Sequence, residues 1–81
     1  MALKVFTIDE LRFYDGQEGR PAYIAYRGKV YDVSTSYSWR NGEHYLVHKA
    51  GTDLTNDLQH APHGTDLLEN YPVVGFLENA F

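Results

Sequence analysis

With 81 residues the chain has room for one domain, residues 1–81, and for a core too small to leave a wide stability margin. It has no cysteine, which excludes disulfides, iron–sulfur clusters, thiolate zinc sites and thioether-anchored prosthetic groups, so the staple expected of so small a domain is a metal, a non-covalent cofactor or oligomerisation. The formal charge of −4 comes from 11 acidic and 7 basic side chains scattered along the chain, which offers no footprint for nucleic acid and no polybasic membrane patch. Residues 1–6 lack the apolar run of a signal peptide and no segment approaches transmembrane length, so the expectation is a soluble, cytoplasmic protein without membrane insertion.

In chain order, Thr7-Ile8-Asp9-Glu10 has the form of a capping box and predicts a short helix over residues 8–14. Residues 15–21, rich in Gly and Asp and closed by Pro21, are turn chemistry. Two β-rich runs, 22–26 and 29–33, flank Arg27-Gly28 and predict an antiparallel hairpin. From Ser34 to Asn41 the chain is polar, with Tyr37 and Trp39 interspersed. A short helix is predicted over 43–49, ending at Ala50-Gly51, where glycine suits the left-handed C-cap. A second, capped by Thr52 or Asp53, carries Leu54 and Leu58 to about His60 and is broken by Ala61-Pro62-His63-Gly64. A third starts at Thr65 and carries Leu67, Leu68 and Tyr71, before Pro72 leads into an apolar strand over 73–77. The fold class is α+β, with a small sheet at one end and short helices at the other. Helices of two turns do not stabilise themselves, and these have few apolar residues to bury, so something must fill the space between them.

All four histidines, His44, His48, His60 and His63, lie within residues 44–63. His44 and His48 are four apart and share a helix face, while His63 stands on a Pro-Gly loop. Two imidazoles from separate short helices suit the two axial positions of a haem iron. Spacing alone does not select that chemistry, because histidines four apart on a surface helix are more often a solvated polar face. A zinc or nickel site from His44, His48 and one of His60 or His63 is a second reading, although no acidic residue follows His44 as a catalytic zinc motif requires. No nucleophile elbow, phosphate loop or dinucleotide glycine pattern is present.

Four stretches, in order, carry a family resemblance: Phe6-Thr7-Ile8-Asp9-Glu10-Leu11; residues 22–34 with Val30-Tyr31-Asp32-Val33 at their centre; Ala50-Gly51-Thr52-Asp53-Leu54-Thr55 followed by Ala61-Pro62-His63-Gly64; and Pro72-Val73-Val74-Gly75-Phe76-Leu77. Over residues 6–77 the chain resembles the cytochrome b5-like haem/steroid-binding family. The resemblance implies a small cytochrome b5-like domain with a short mixed sheet and a helical haem pocket, binding haem b non-covalently, with His63 as one axial ligand. The family's other axial histidine belongs to a His-Pro-Gly-Gly sequence, and here Trp39-Arg40-Asn41-Gly42 stands in its place. The pattern is similar to a short prokaryotic branch of the family, with His44, Tyr45 and His48 on the following helix as substitutes. His44, in the first turn of that helix, is the expected iron ligand, because helical side chains lean toward the N-terminus. His48 then lies near the macrocycle edge, or the two exchange roles. Trp39, Leu46, Leu54, Leu58, Leu67 and Tyr71 are the expected lining of the pocket, while Tyr23, Tyr31, Val33, Val74 and Phe76 are expected in the sheet-end core.

Six-coordinate iron implies electron transfer rather than catalysis. An unidentified redox partner, basic if Asp53, Asp57 and Asp66 steer it, would dock at the haem edge. Alternatives in other classes are a haem carrier or sensor, a small-ligand or steroid-like binding module, and a zinc-stapled interaction domain.

Overall fold

A computed structural model describes residues 3–34, 50–56, 68 and 71–78. Its elements are β1 (Lys4–Phe6), α1 (Ile8–Phe13), β2 (Tyr23–Tyr26), β3 (Lys29–Asp32) and β4 (Val73–Leu77). The four strands form one mixed sheet in the order β1-β4-β3-β2, with β1 parallel to β4 and the other pairs antiparallel.

The capping box starts α1 as the sequence predicts. Thr7 Oγ1 accepts the Glu10 amide at 3.1 Å, and Glu10 Oε1 accepts the Thr7 amide at 3.0 Å. Such a cap is worth about 1 kcal/mol. The helix ends at Phe13 with Tyr14 as its C-cap, so the expected span is right to one residue. The hairpin also forms as expected. Arg27 and Gly28 both take positive φ, 50° and 80°, the geometry of a type I′ turn whose twist matches the strands it joins. The closing strand runs from Val73, and its register against β3 slips between Val30 and Tyr31, which pair with Gly75 and Val73. The helices expected over 43–49, 54–60 and from 65 lie outside the described residues except at Thr55, Asn56 and Leu68, which are helical, and at Leu54 and Tyr71, which are not.

Strand alternation divides the core into two. Tyr23 and Ala25 of β2 face α1 and join Phe6, Leu11, Val30 and Leu77, with Tyr14 and Val74 packed alongside. Tyr14 and Tyr23 stack at 4.4 Å between ring centroids, and Phe6 meets both edge-on. Ile24 and Tyr26 point to the opposite face and join a second cluster with Ala22, Val33, Ala50, Leu54 and Leu68. Tyr23 and Val74 therefore sit in the sheet-end core as expected. Tyr31 and Val33 do not, because their strand positions send them to the second cluster. Phe76 is 43% exposed. Its β4 neighbour Leu77 takes the inward position, leaving Phe76 outward across from Val5, which is 57% exposed.

Gly75 is the closest crossing in the sheet. It pairs with Lys4 on one side and Val30 on the other, and a Cβ there would press into the Lys4 carbonyl and lie 2.7 Å from the Phe6 ring. Both neighbours belong to the packed sheet, so neither yields cheaply. Gly75→Ala should therefore destabilise the domain by at least about 2 kcal/mol in chemical denaturation, at the upper end of overpacking costs, whereas a cost below about 0.5 kcal/mol would mean that β1 is not clamped against β4.

Candidate functional site

The second core cluster is where the two histidine-bearing segments leave the sheet and return to it. Val33 is the last buried residue before segment 35–49, and Ala50 is the first after it. Leu54 immediately precedes Thr55 and Asn56, from which segment 57–67 departs, and Leu68 receives its far end. All four side chains belong to one cluster, on the sheet face away from α1. The two segments that carry every histidine of the chain therefore begin and end on the same apolar surface. His44, His48 and His63, together with Trp39, Leu46, Leu58 and Leu67, lie outside the described residues.

Of the predicted lining, Leu54 is 3% exposed within the cluster, and Tyr71 packs against it half-buried. Burying one leucine of this kind stabilises by about 1.5–3 kcal/mol. Leu68 is also buried there, a neighbour of the predicted Leu67. The sequence reading missed Ile24, Tyr26 and Ala50 as contributors to this wall, and gave Tyr31 and Val33 to the other core. Period-two alternation along β2 carried the signal for Ile24 and Tyr26: a hairpin with both faces apolar must have something to cover each.

Segment 50–56 is held against the sheet by backbone bonds. The Gly51 amide donates to the Tyr23 carbonyl at 2.6 Å, the Ala25 amide to the Thr52 carbonyl at 3.0 Å, and the Leu54 amide to the Ala25 carbonyl at 2.8 Å. Gly51 has φ +84°, and a Cβ there would lie 3.2 Å from the Arg12 carbonyl oxygen and 3.3 Å from that of Leu11, so glycine lets the segment pass close under the end of α1. Asp53, one of the two candidate caps, accepts both the Thr55 amide, at 3.0 Å, and the Thr55 hydroxyl, at 2.6 Å. Its carboxylate is exposed but is engaged in starting this turn as well as adding negative charge to the surface.

The wall is chemically uniform. Among the described residues no buried side-chain nitrogen or oxygen lacks a partner, and no group of three or more histidine, cysteine, aspartate or glutamate side chains gathers for a metal ion. A surface of leucine, isoleucine, valine and tyrosine fits the flat apolar face of a macrocycle. Among the described residues no helix is long and apolar enough to cross a membrane.

A four-stranded mixed sheet with a capped helix on one face, and two histidine-bearing segments rooted on the other, defines a small α+β cofactor-binding domain. The profile of the family described as "Cytochrome b5-like Heme/Steroid binding domain" matches residues 7–78, and the chain belongs to that family. It is similar to the solved structure of a cytochrome b5 domain protein from Hadesarchaea YNP_N21, with 55% identity, a TM-score of 0.88, and coverage of 93% of this chain and 99% of that one. It is likewise similar to a cytochrome b5 domain protein from Methanococcoides burtonii, with 49% identity, a TM-score of 0.90, and coverage of 95% and 100%. Both relatives are prokaryotic, in keeping with the branch that the sequence resembles. Among curated proteins, chitin synthase 6 of Pyricularia oryzae is 43% identical over 56 residues and a neuferricin homolog of Caenorhabditis briggsae is 38% identical over 52. Those matches span 3% and 16% of the respective proteins.

Burial, with a smaller contribution from Tyr26, holds the Tyr31 phenol above its ordinary pKa. The unfolded chain ionises this tyrosine near pH 10 and the folded one later. Its contribution to stability is full below about pH 10 and is lost as pH rises through the folded value. Tyr31→Phe should accordingly flatten the fall in stability as pH rises above about 10, read by urea denaturation at several pH values. An unchanged slope would show that the wall does not enclose this phenol.

Proposed function

We propose that the protein holds one haem b non-covalently on the apolar face opposite α1, with His44 and His63 as axial ligands, and that it serves as a six-coordinate electron-transfer protein. The observation that supports this reading most is the rooting of both histidine segments, 35–49 and 57–67, on the single cluster of Val33, Ala50, Leu54 and Leu68. Histidines on two separate stretches that leave and rejoin one apolar surface suit ligation from opposite sides of a macrocycle. Membership of a haem/steroid-binding family supports the same cofactor. His63 has the further support of the Ala-Pro-His-Gly motif shared with the family, and His44 that of its place nearest the position of the missing motif histidine.

In this reading the bound haem supplies a one-electron iron couple. The chain's own residues do the rest. His44 and His63 would hold the iron as its two protein ligands, so neither oxygen activation nor a catalytic base would be called for. Each ligand ring keeps a second N–H to donate to a carbonyl or carboxylate, which fixes its tautomer and tunes its basicity. His48 would add a polar contact to the bound group. Leu54 and Tyr71, with Trp39, Leu46, Leu58 and Leu67, keep water from the macrocycle faces, and burial and ligand identity set the potential. A basic redox partner would approach the exposed edge.

Protein supplied with haem should show a sharp Soret band and, on dithionite reduction, split low-spin α and β bands. A protein that stays colourless with added haem but takes up zinc stoichiometrically would replace this reading with the zinc-stapled domain, and a five-coordinate spectrum would favour a carrier or sensor.

The two axial sides are separable by substitution. His63→Ala should abolish the low-spin spectrum. His44→Ala should give a high-spin or ligand-switched haem, while His48→Ala should remain low-spin. Paramagnetic NMR assignment of both axial rings in the unaltered protein guards against ligand switching in the variants. Finding His48 on the iron there, with His44 in solvent, would reverse their roles.

A further inference from the structure

At the far side of the sheet from β2, β1 is an edge strand, and among the described residues no further strand pairs with it. Its register against β4 is regular from Lys4 to Phe6, with no bulge to twist the edge away. The Phe6 carbonyl accepts the Glu78 amide at 2.7 Å, and the Lys4 carbonyl crowds Gly75, so both residues turn their backbone groups toward β4. Val5, between them, turns its amide and carbonyl outward. Its side chain is exposed and lies opposite Phe76, which is exposed as well. Leu3, two residues back and on the same face by alternation, is 47% exposed. These three side chains form an apolar strip along an open edge. Natural sheets commonly guard such an edge with a charged side chain. Lys4 is the one charged residue of β1, but it points to the other face and is already engaged, its Nζ reaching Glu10 Oε2 at 2.7 Å.

We propose that this edge pairs with the same edge of a second copy of the chain, β1 antiparallel to β1 about a two-fold axis at Val5. The register is self-complementary, which selects a second copy over an unrelated strand. With Val5 opposite Val5, the two outward amides and carbonyls exchange both hydrogen bonds, as in the hydrogen-bonded pair of an antiparallel ladder. The two Val5 side chains then meet at the axis, each flanked by its own Phe76, and the apolar strips join into one. Charge is complementary on the other face. The second copy's Lys4 comes opposite Phe6, one residue from Thr7, whose amide Glu10 accepts at 3.0 Å. Each Glu10 is thus flanked by two lysines, so the four charges alternate in sign across the axis. The strand is only 3 residues long, and the strip falls well short of the roughly 800 Å² that each partner buries in a stable complex. The association is therefore weak, with a dissociation constant on the order of 0.1–1 mM. It uses no residue of the proposed haem site and stands apart from that reading.

The full chain, supplied with haem, is followed by analytical ultracentrifugation from about 0.02 to 2 mM, a range that spans the expected dissociation constant. Amide exchange with solvent is read by NMR over the same range. The unaltered protein should pass from monomer to dimer, and the Val5 amide should exchange severalfold more slowly at the high end. The Lys4 and Phe6 amides, turned toward β4, should not respond. Val5→Lys sets two like charges directly opposite at the axis and should weaken dimerisation about tenfold or more. Val5→Ile keeps the edge neutral and enlarges the strip, and should dimerise at least as tightly as the unaltered protein. Because Val5 is exposed, the urea midpoint of either variant, read on dilute monomer, should stay near that of the unaltered protein. A chain that remains monomeric throughout the range would overturn the proposal. So would a dimer that Val5→Lys leaves intact, since its interface would lie elsewhere. The Val5 amide of the unaltered protein decides the matter without any variant: a dimer that forms while that amide exchanges at a constant rate does not pair through β1.

Discussion

The outer edge of β2 is the constraint around which this small domain is organised. An unpaired strand edge exposes a row of backbone donors and acceptors, and proteins cover or blunt it. Here Tyr14 meets the Tyr23 amide at 3.0 Å, and residues 51–54 take the rest of the edge. The residues that cover the edge lead directly into the second histidine segment. Gly51 makes this easy, since its φ of +84° is strained for other residues and a Cβ would be crowded by the Arg12 and Leu11 carbonyls where the segment passes under the last turn of α1.

From that edge the two faces of the sheet take different work. The face toward α1 is a finished core, closed by the capping box at one end of the helix and by the Phe6, Tyr14 and Tyr23 rings at the other. It stands without a cofactor in its midst. The opposite face gathers Ile24, Tyr26, Val33, Ala50, Leu54 and Leu68, the points at which the chain leaves the sheet and returns to it. A domain of this size has little core to spare, and both faces of the sheet contribute to it. Any ligand bound only by the native state then adds to stability in proportion to its concentration over its dissociation constant.

The charged groups sit around this frame rather than within it. Arg20 bonds to both carboxylate oxygens of Asp15, and with the Gln17 amide it closes the loop between α1 and β2. The Gln17 amide is the largest cause of the lowered pKa of Asp15, with Arg20 adding to it. Lys4 reaches Glu10 at 2.7 Å on the surface. Such exposed pairs contribute little to stability. They fix local loops and leave the apolar wall unbroken.

Much of this was written locally and could be read from the sequence. The Thr7 to Glu10 capping box, the hairpin about Arg27-Gly28 and the closing strand over 73–77 depend on residues within a few positions of one another, and each forms where the pattern puts it. The motifs Ala-Gly-x-Asp-x-Thr and Ala-Pro-His-Gly, in order with the hairpin, carried the family as well. The sequence did not decide which face of the sheet each side chain serves. Phe76 and Leu77 are equally apolar, yet only the parallel pairing of β1 with β4 turns Leu77 inward and Phe76 out. Tyr31 and Val33 look like sheet core and become part of the wall because Val30 takes the opposite face of their strand. Nor did the motif Ala50-Gly51-Thr52-Asp53-Leu54-Thr55 reveal by itself that it is an edge cover as well as a helix start. That role exists only once β2 lies beside it, because a hydrogen-bond ladder between residues 51–55 and 23–27 is a contact across the chain that no local pattern encodes.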